Sequence, residues 1–194
     1  MKTTRLEAFS DGVIAILITI MVLELRPPHG TTVAALVPLV PVFLAYLLSF
    51  VVVGIYWNNH HHMFHATDDV NGTVLWANLH LLFWLSLVPF VTAWMGENHF
   101  AAVPTAAYGG VLLLCACAYT LLQAAIIHHQ GQASKLARAV GSDAKGRLSL
   151  VMYVTGILLA FVQPAMSWAL YAAVAIIWFV PDRRIERALR SRHR

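Results

Sequence analysis

The feature that most constrains the fold is an uncharged apolar run close to the N-terminus, GVIAILITIMVL, from Gly12 to Leu23. With Phe9 and Leu25 as flanks, it approaches the roughly 20 residues that a helix needs to cross a hydrocarbon layer of about 30 Å. We therefore predict a membrane-spanning helix over the stretch from Arg5 to Leu25.

Further apolar segments extend this interpretation along the whole chain. Hydrophobic residues make up 59% of the sequence and charged residues only 11%, against about 25% charged residues in a typical soluble protein. We predict spans over residues 33–57, about 70–94 and 101–127. Residues 148–180 are predicted to form two helices of about 15 residues each, separated at Gln163-Pro164. The predicted fold class is all-α, a polytopic membrane protein with six transmembrane helices per subunit.

The distribution of basic residues predicts the orientation. If the N-terminus lies inside, twelve of the 13 lysines and arginines fall on the inner side, and Arg26 alone lies outside. By the positive-inside rule both termini are cytoplasmic, which requires an even number of spans. We expect a multi-pass protein of the cell membrane, with one six-helix domain over residues 1–182 and a basic cytoplasmic tail over residues 183–194. We expect the tail to form a solvated helical extension or to contact anionic lipid headgroups, and no nucleic acid partner is needed to explain its charge.

Polar residues at the start of the first helix are predicted to face protein or water. Arg5, Ser10 and Asp11 are too costly to expose to lipid unpaired. Asn78 and His80 lie early in the third span, so an antiparallel first helix brings them to the same depth. We predict a structural polar network that joins Asp11 to Arg5 and includes Asn78 or His80. A proton relay through Asp11 and His80 is the sharper alternative.

The same helix carries an apolar stripe. At about 100° per residue, one face collects Phe9, Gly12, Ile16, Thr19, Ile20 and Leu23. This face is predicted either to line a pore or to pack against lipid, and the Thr19 hydroxyl can bond its own helix backbone.

A histidine-rich segment, NNHHHMFHATDD from Asn58 to Asp69, offers metal-ligand residue types. His61 and His65 are four apart, with Asp68 and Asp69 nearby. We interpret the segment as the polar end of a span and expect no metal or cofactor. The chain contains no HExxH, GxxxxGK[ST] or CxxC pattern, so we expect no enzyme activity.

The order Arg5-Leu6-Glu7-Ala8-Phe9-Ser10-Asp11 resembles the RxxxFSD signature of the lysosomal potassium channel family, transmembrane protein 175, and its bacterial homologues. The segments GIYWNNHHHMF and WLSLVPF are similar to further family segments. The resemblance implies a potassium-permeable cation channel without the TVGYG filter, which this sequence also lacks. It places Phe9 with the polar signature residues.

The resemblance also implies an assembly, a homotetramer with the first helices around a central pore. Family positions that form an apolar constriction match Ile16, Ile20 and Leu23, and a position linked with ion preference matches Thr19. The permeant ligand implied is the potassium ion, and the implied partners are further copies of the chain and membrane lipids.

Two other functions stay open on the sequence. A proton- or ion-coupled secondary transporter using Asp11 and His80 is the principal alternative, although the broken helices and internal repeats typical of transporters are not visible. A structural or accessory membrane subunit is the other.

Overall fold

The computed structural model describes residues 3–141 and 143–179, and within them every regular element is helical. The α-helices are α1 Thr4–Met21, α2 Val40–His65, α3 Gly72–Ser86, α4 Val88–Glu97, α5 Ala102–Gln130, α6 Lys135–Val140, α7 Ala144–Leu159 and α8 Pro164–Phe179. Two 3₁₀ helices, Val22–Glu24 and Val33–Leu39, flank the loop between α1 and α2. The predicted tail over residues 183–194 lies outside the described residues.

Helix α5 occupies the centre of the bundle. It packs against α3, α4, α7 and α8, while α1 packs against α2, α3 and α4. The core includes large side chains with almost no exposure, among them Tyr108, Tyr171 and Phe64. We call the end of the bundle at which α2 ends and α3 begins the inner end.

Helices α3 and α4 form one apolar stretch, Gly72–Glu97, with a break at Leu87. Pro89 explains the break, because a proline has no backbone N–H to donate and its ring clashes with the carbonyl one turn earlier.

A buried chain of hydroxyls connects α4 to its neighbours. Ser49 Oγ lies 2.7 Å from Thr92 Oγ1 and 3.0 Å from Tyr108 Oη, which ties α2 to α4 and α5.

Several predicted boundaries were wrong. Helix α2 continues past Trp57 to His65, so that most of the histidine-rich segment is helical. The predicted polar linker over residues 128–147 contains the end of α5, all of α6 and the first turn of α7. The first helix also changes to a 3₁₀ turn after Met21, which is common where a helix ends.

By length and composition, four helical stretches of the described chain can cross a membrane: Thr4–Glu24, Val33–His65, Gly72–Glu97 and Ala102–Gln130. Helix α8 is a shorter apolar helix, and α7 and α8 have 16 residues each. At about 1.5 Å per residue such a helix is shorter than the hydrocarbon layer. The count of six transmembrane helices stays a prediction.

Candidate functional site

Helix α1 has one buried face and one exposed face. Its buried residues recur every three or four positions: Leu6, Ser10, Ile14, Leu17 and Met21. The predicted stripe lies on the opposite side, where Ile16 is 57% exposed, Ile20 42% and Leu23 74%. One chain therefore leaves an apolar surface uncovered along the length of its first helix.

Thr19 lies on this exposed face, and its hydroxyl is turned back to its own helix. Thr19 Oγ1 donates to the Ile16 carbonyl at 3.0 Å and to the Ala15 carbonyl at 3.1 Å. Because the single hydroxyl proton is used within the helix, the oxygen has only acceptor capacity left for other partners.

The buried face of α1 is joined to α3 and α2 by a hydrogen-bonded chain at the inner end. Ser10 Oγ donates to the Leu6 carbonyl at 2.9 Å, so it accepts from Asn78 Nδ2 at 2.9 Å. The Asn78 amide oxygen then accepts from His60 Nε2 at 2.8 Å. The direction of each bond follows from the one before it, because the carbonyls can only accept. All three side chains are at most 1% exposed.

Asp11 has a separate partner. Its Oδ1 accepts from Trp57 Nε1 on α2 at 3.0 Å. The described residues contain no ion pair between Arg5 and Asp11, and Arg5 is exposed. The expected link from Asp11 to Arg5 is therefore missing in the single chain, and α2 supplies the partner.

His80 and Phe9 lie away from the buried chain of Ser10, Asn78 and His60. His80 is exposed and accepts from Trp84 Nε1, one turn along α3, at 2.8 Å. Phe9 is 52% exposed beside the apolar stripe. Of the residues predicted to form the polar network, the structure brings Ser10 and Asn78 into contact and leaves Arg5, Phe9 and His80 outside that contact.

Sequence reasoning missed Trp57 and His60. The three-residue spacing of Trp57 and His60 places both toward α1 and α3 once α2 is known to continue. Ending the span at Trp57 hid this signal, since His60 then counted only as a member of the histidine cluster.

In the rest of the histidine cluster, His61 and His65 are exposed and His62 is partly buried. His61 stacks on Trp57 and His65, with ring centroids 6.2 Å and 6.1 Å apart. Within the described residues, no group of three or more histidine, cysteine or acidic side chains is arranged to hold a metal ion. Asp69 instead lies 3.3 Å from His129 Nε2 at the end of α5.

Comparisons with known proteins agree on one group of relatives. The family model described as "Endosomal/lysosomal potassium channel TMEM175" matches residues 5–89. A potassium channel of Chryseobacterium sp. (strain P1-3) is 54% identical over 191 residues, covering 98% of this chain and 100% of the relative. The endosomal/lysosomal proton channel TMEM175 of Rattus norvegicus is 30% identical over 177 residues, and the match covers 81% of this chain but only 35% of the rat protein.

A solved structure is also similar. The crystal structure of a lysosomal potassium-selective channel TMEM175 homolog from Chamaesiphon minutus matches with a TM-score of 0.81 and 30% sequence identity. The match covers 93% of this chain and 97% of the solved one, so the similarity extends over nearly the whole helical bundle.

Proposed function

Because the chain belongs to the TMEM175 potassium channel family, a family of ion channels and not of enzymes, we propose that it is a potassium-permeable, modestly selective cation channel. Four copies assemble around a central pore that is lined by the exposed face of α1. The single observation that carries this proposal is the uncovered apolar stripe of Ile16, Ile20 and Leu23.

The constriction of this pore is apolar. Four isoleucine or leucine side chains around an axis resist wetting, and an ion that passes them loses hydration water without gaining carbonyl ligands. Potassium gives up water more readily than sodium, so the ring favours potassium modestly. The acceptor capacity of Thr19 compensates part of the lost hydration.

The polar contacts at the inner end set the rotation of α1. Ser10 is fixed to α3 through Asn78, and Asp11 is fixed to α2 through Trp57. Turning α1 about its axis would break both contacts. It would leave the buried side chains of Ser10 and Asn78 unpaired, which costs about 1–3 kcal/mol for each group. This anchor supports the orientation in which Ile16 and Thr19 face the ion path.

We further propose six transmembrane helices per subunit in the cell membrane, with both termini cytoplasmic and lipids around the assembly. The inner end then faces the cytoplasm, in agreement with the positions of Lys135 and Arg138 on α6. The permeant ion is potassium, and the chain needs no cofactor.

The test is ion flux into liposomes that contain the purified protein. Potassium flux is expected for the native chain. Ile16→Asn is expected to hydrate the constriction, raise the flux and lower the potassium-to-sodium permeability ratio. Val151→Asn is the matched control, because Val151 is an equally exposed aliphatic residue, 63% exposed on α7. Protein that carries no potassium in either form contradicts the channel.

The same liposomes distinguish the second candidate, a transporter that uses Asp11 and His80. A pH-sensitive dye in the lumen reports proton movement. Asp11 and His80 bond to different tryptophans, Trp57 and Trp84, so no observation favours a relay between them. Potassium flux that requires an opposing proton gradient would favour the transporter.

A further inference from the structure

A cavity of about 50 Å³ lies between α2, α5, α7 and α8 at the inner end, on residues that the proposed ion path does not use. Its polar side chains are Asn59, Thr120, Gln123, Asp143 and Ser149. Four aromatic residues complete much of the wall: Tyr56, Tyr119, Tyr153 and Trp178. An apolar pocket with a few convergent polar groups is the usual form of a small-molecule site.

Three of the donors on the polar side of this cavity are used within the protein. Thr120 Oγ1 donates to the Ala116 carbonyl and Ser149 Oγ to the Lys145 carbonyl, each at 2.9 Å. Asn59 Nδ2 donates to the Ile55 carbonyl at 2.9 Å. With these donors engaged, Thr120 Oγ1 and the amide oxygens of Asn59 and Gln123 can accept hydrogen bonds from a ligand that donates them.

Asp143 adds a negative charge to this acceptor-rich wall. Its Oδ1 accepts from the Gly146 backbone N–H at 3.2 Å and caps α7, and a carboxylate has further acceptor positions on its two oxygens. The rings of Tyr56 and Tyr119, 6.1 Å apart in an edge-to-face pair, present the kind of π surface that attracts organic cations. A carboxylate together with aromatic faces favours a cationic donor.

A second, largely apolar space adjoins the cavity. This groove of about 280 Å³, lined by Phe50, Val51, Gly54 and Phe179 among others, shares Ile55 and Trp178 with the first. The groove offers an apolar chain a place beside the polar cavity.

We propose that this pair of spaces binds a protonated primary amine that carries an apolar chain, with the ammonium group beside Asp143 and the chain along the groove behind Trp178. A primary ammonium has three donors, which suits the free acceptors. The same chemistry occurs in a soluble alkylamine and in the headgroup of an aminophospholipid.

The test measures ligand binding, so its result does not depend on whether the chain conducts ions. The thermal unfolding midpoint of the full-length protein in detergent is followed against the concentration of n-hexylamine, with n-hexanol as the uncharged ligand of equal chain length. A ligand that binds the folded state raises the midpoint in a saturable way. We expect this for hexylamine, and the same rise with hexanol would overturn the proposal.

Asp143→Asn removes the charge and preserves the local fold, because asparagine caps helices and tolerates the positive φ of 43° at this position. We expect about a tenfold weaker apparent affinity for hexylamine from the lost charge-assisted contact. Asp68→Asn, an exposed carboxylate in the turn after α2, is the matched control and is expected to bind as the native chain does. Equal affinities in Asp143→Asn and the native chain would overturn the proposal.

Gln123→Leu provides a second variant that leaves the α7 cap intact. It removes one acceptor and is expected to weaken hexylamine binding about threefold. If Asp143→Asn does not fold, unchanged hexylamine binding by Gln123→Leu would overturn the proposal. Competition by dihexanoyl phosphatidylethanolamine, but not by dihexanoyl phosphatidylglycerol, assigns the site to a lipid headgroup. Without such competition, hexylamine binding supports the site and assigns it to soluble amines.

Discussion

Thr19 is the one polar side chain in the run from Gly12 to Leu23. Its hydroxyl bonds to the Ile16 carbonyl, so a threonine in this place has two explanations. A helix-bonded hydroxyl is compatible with a lipid-facing surface, and its unused lone pairs are equally suited to a cation. The two explanations differ in what removal of the oxygen does to ion preference.

Thr19→Ala is expected to lower the potassium-to-sodium permeability ratio. The loss of one oxygen contact worth about 0.5–1.5 kcal/mol corresponds to about a two- to tenfold change. Reversal potentials under bi-ionic conditions measure the ratio. Thr19→Ser keeps the hydroxyl and should retain the native ratio, whereas an unchanged ratio in Thr19→Ala would show that Thr19 serves only its own helix.

At the scale of single residues, the sequence indicated that Ser10 and Asn78 need partners, but it did not predict the partner of Asp11. Ser10 and Asn78 stood out because polar groups in an apolar helix must be satisfied, and they do meet. The partner of Asp11 depends on the rotation of α2 and on the residue at which α2 ends. Residue spacing within one helix predicts neither of these. The nearby charge of Arg5 suggested an ion pair, but in the structure the Trp57 indole N–H donates a hydrogen bond to the Asp11 carboxylate.

At the scale of whole elements, close packing among α5, α7 and α8 depends on two glycines. A Cβ at Gly109 would overlap the Tyr171 hydroxyl, and a Cβ at Gly156 would overlap the edge of the same ring. Tyr171 is fully buried, and its hydroxyl donates to the Thr105 carbonyl at 3.4 Å. The ring therefore has little room to move.

Gly109→Ala and Gly156→Ala are each expected to destabilise the protein by about 1–3 kcal/mol, the usual cost of overpacking a close-packed interior. Gly110→Ala is the matched control in the same helix, because nothing lies within 4 Å of a Cβ at Gly110. Its helix propensity predicts a gain of about 0.5–1 kcal/mol. Thermal unfolding in detergent measures all three, and equal midpoints for Gly109→Ala and Gly110→Ala would contradict this account of the packing.

Sequence patterns predicted the helices of this bundle better than their ends. Hydrophobic runs identify the cores of α2 and α5, since only an apolar helix suits the bilayer. The inner ends of both helices carry histidines. Residues of such intermediate polarity can continue a helix beyond the hydrocarbon layer, and a hydropathy pattern does not show where that helix ends. In the structure α2 extends to His65 and α5 to Gln130, beyond the ends that hydropathy predicted.

At the scale of the whole molecule, one chain cannot enclose an ion path with the stripe of α1. The exposed fractions of Ile16 and Leu23 belong to a single subunit, and further copies or lipid must cover them. Neither hydrophobic periodicity nor the packing of one chain determines how many copies assemble, because that number depends on contacts between chains. The tetramer therefore stays a prediction that comes from family resemblance.

A cysteine introduced at the end of the stripe tests the assembly and the pore together. Leu23→Cys is made in a Cys117→Ser background, because Cys117 is an exposed free thiol. The complex is expected to have four times the subunit mass of 21.4 kDa by light scattering. A cationic methanethiosulfonate reagent should then block potassium flux, because four positive groups at one depth repel the permeant ion. The Cys117→Ser background without Leu23→Cys is the control and should keep its flux in the reagent. If the reagent leaves the flux of Leu23→Cys unchanged, the stripe faces lipid and the ion path lies elsewhere.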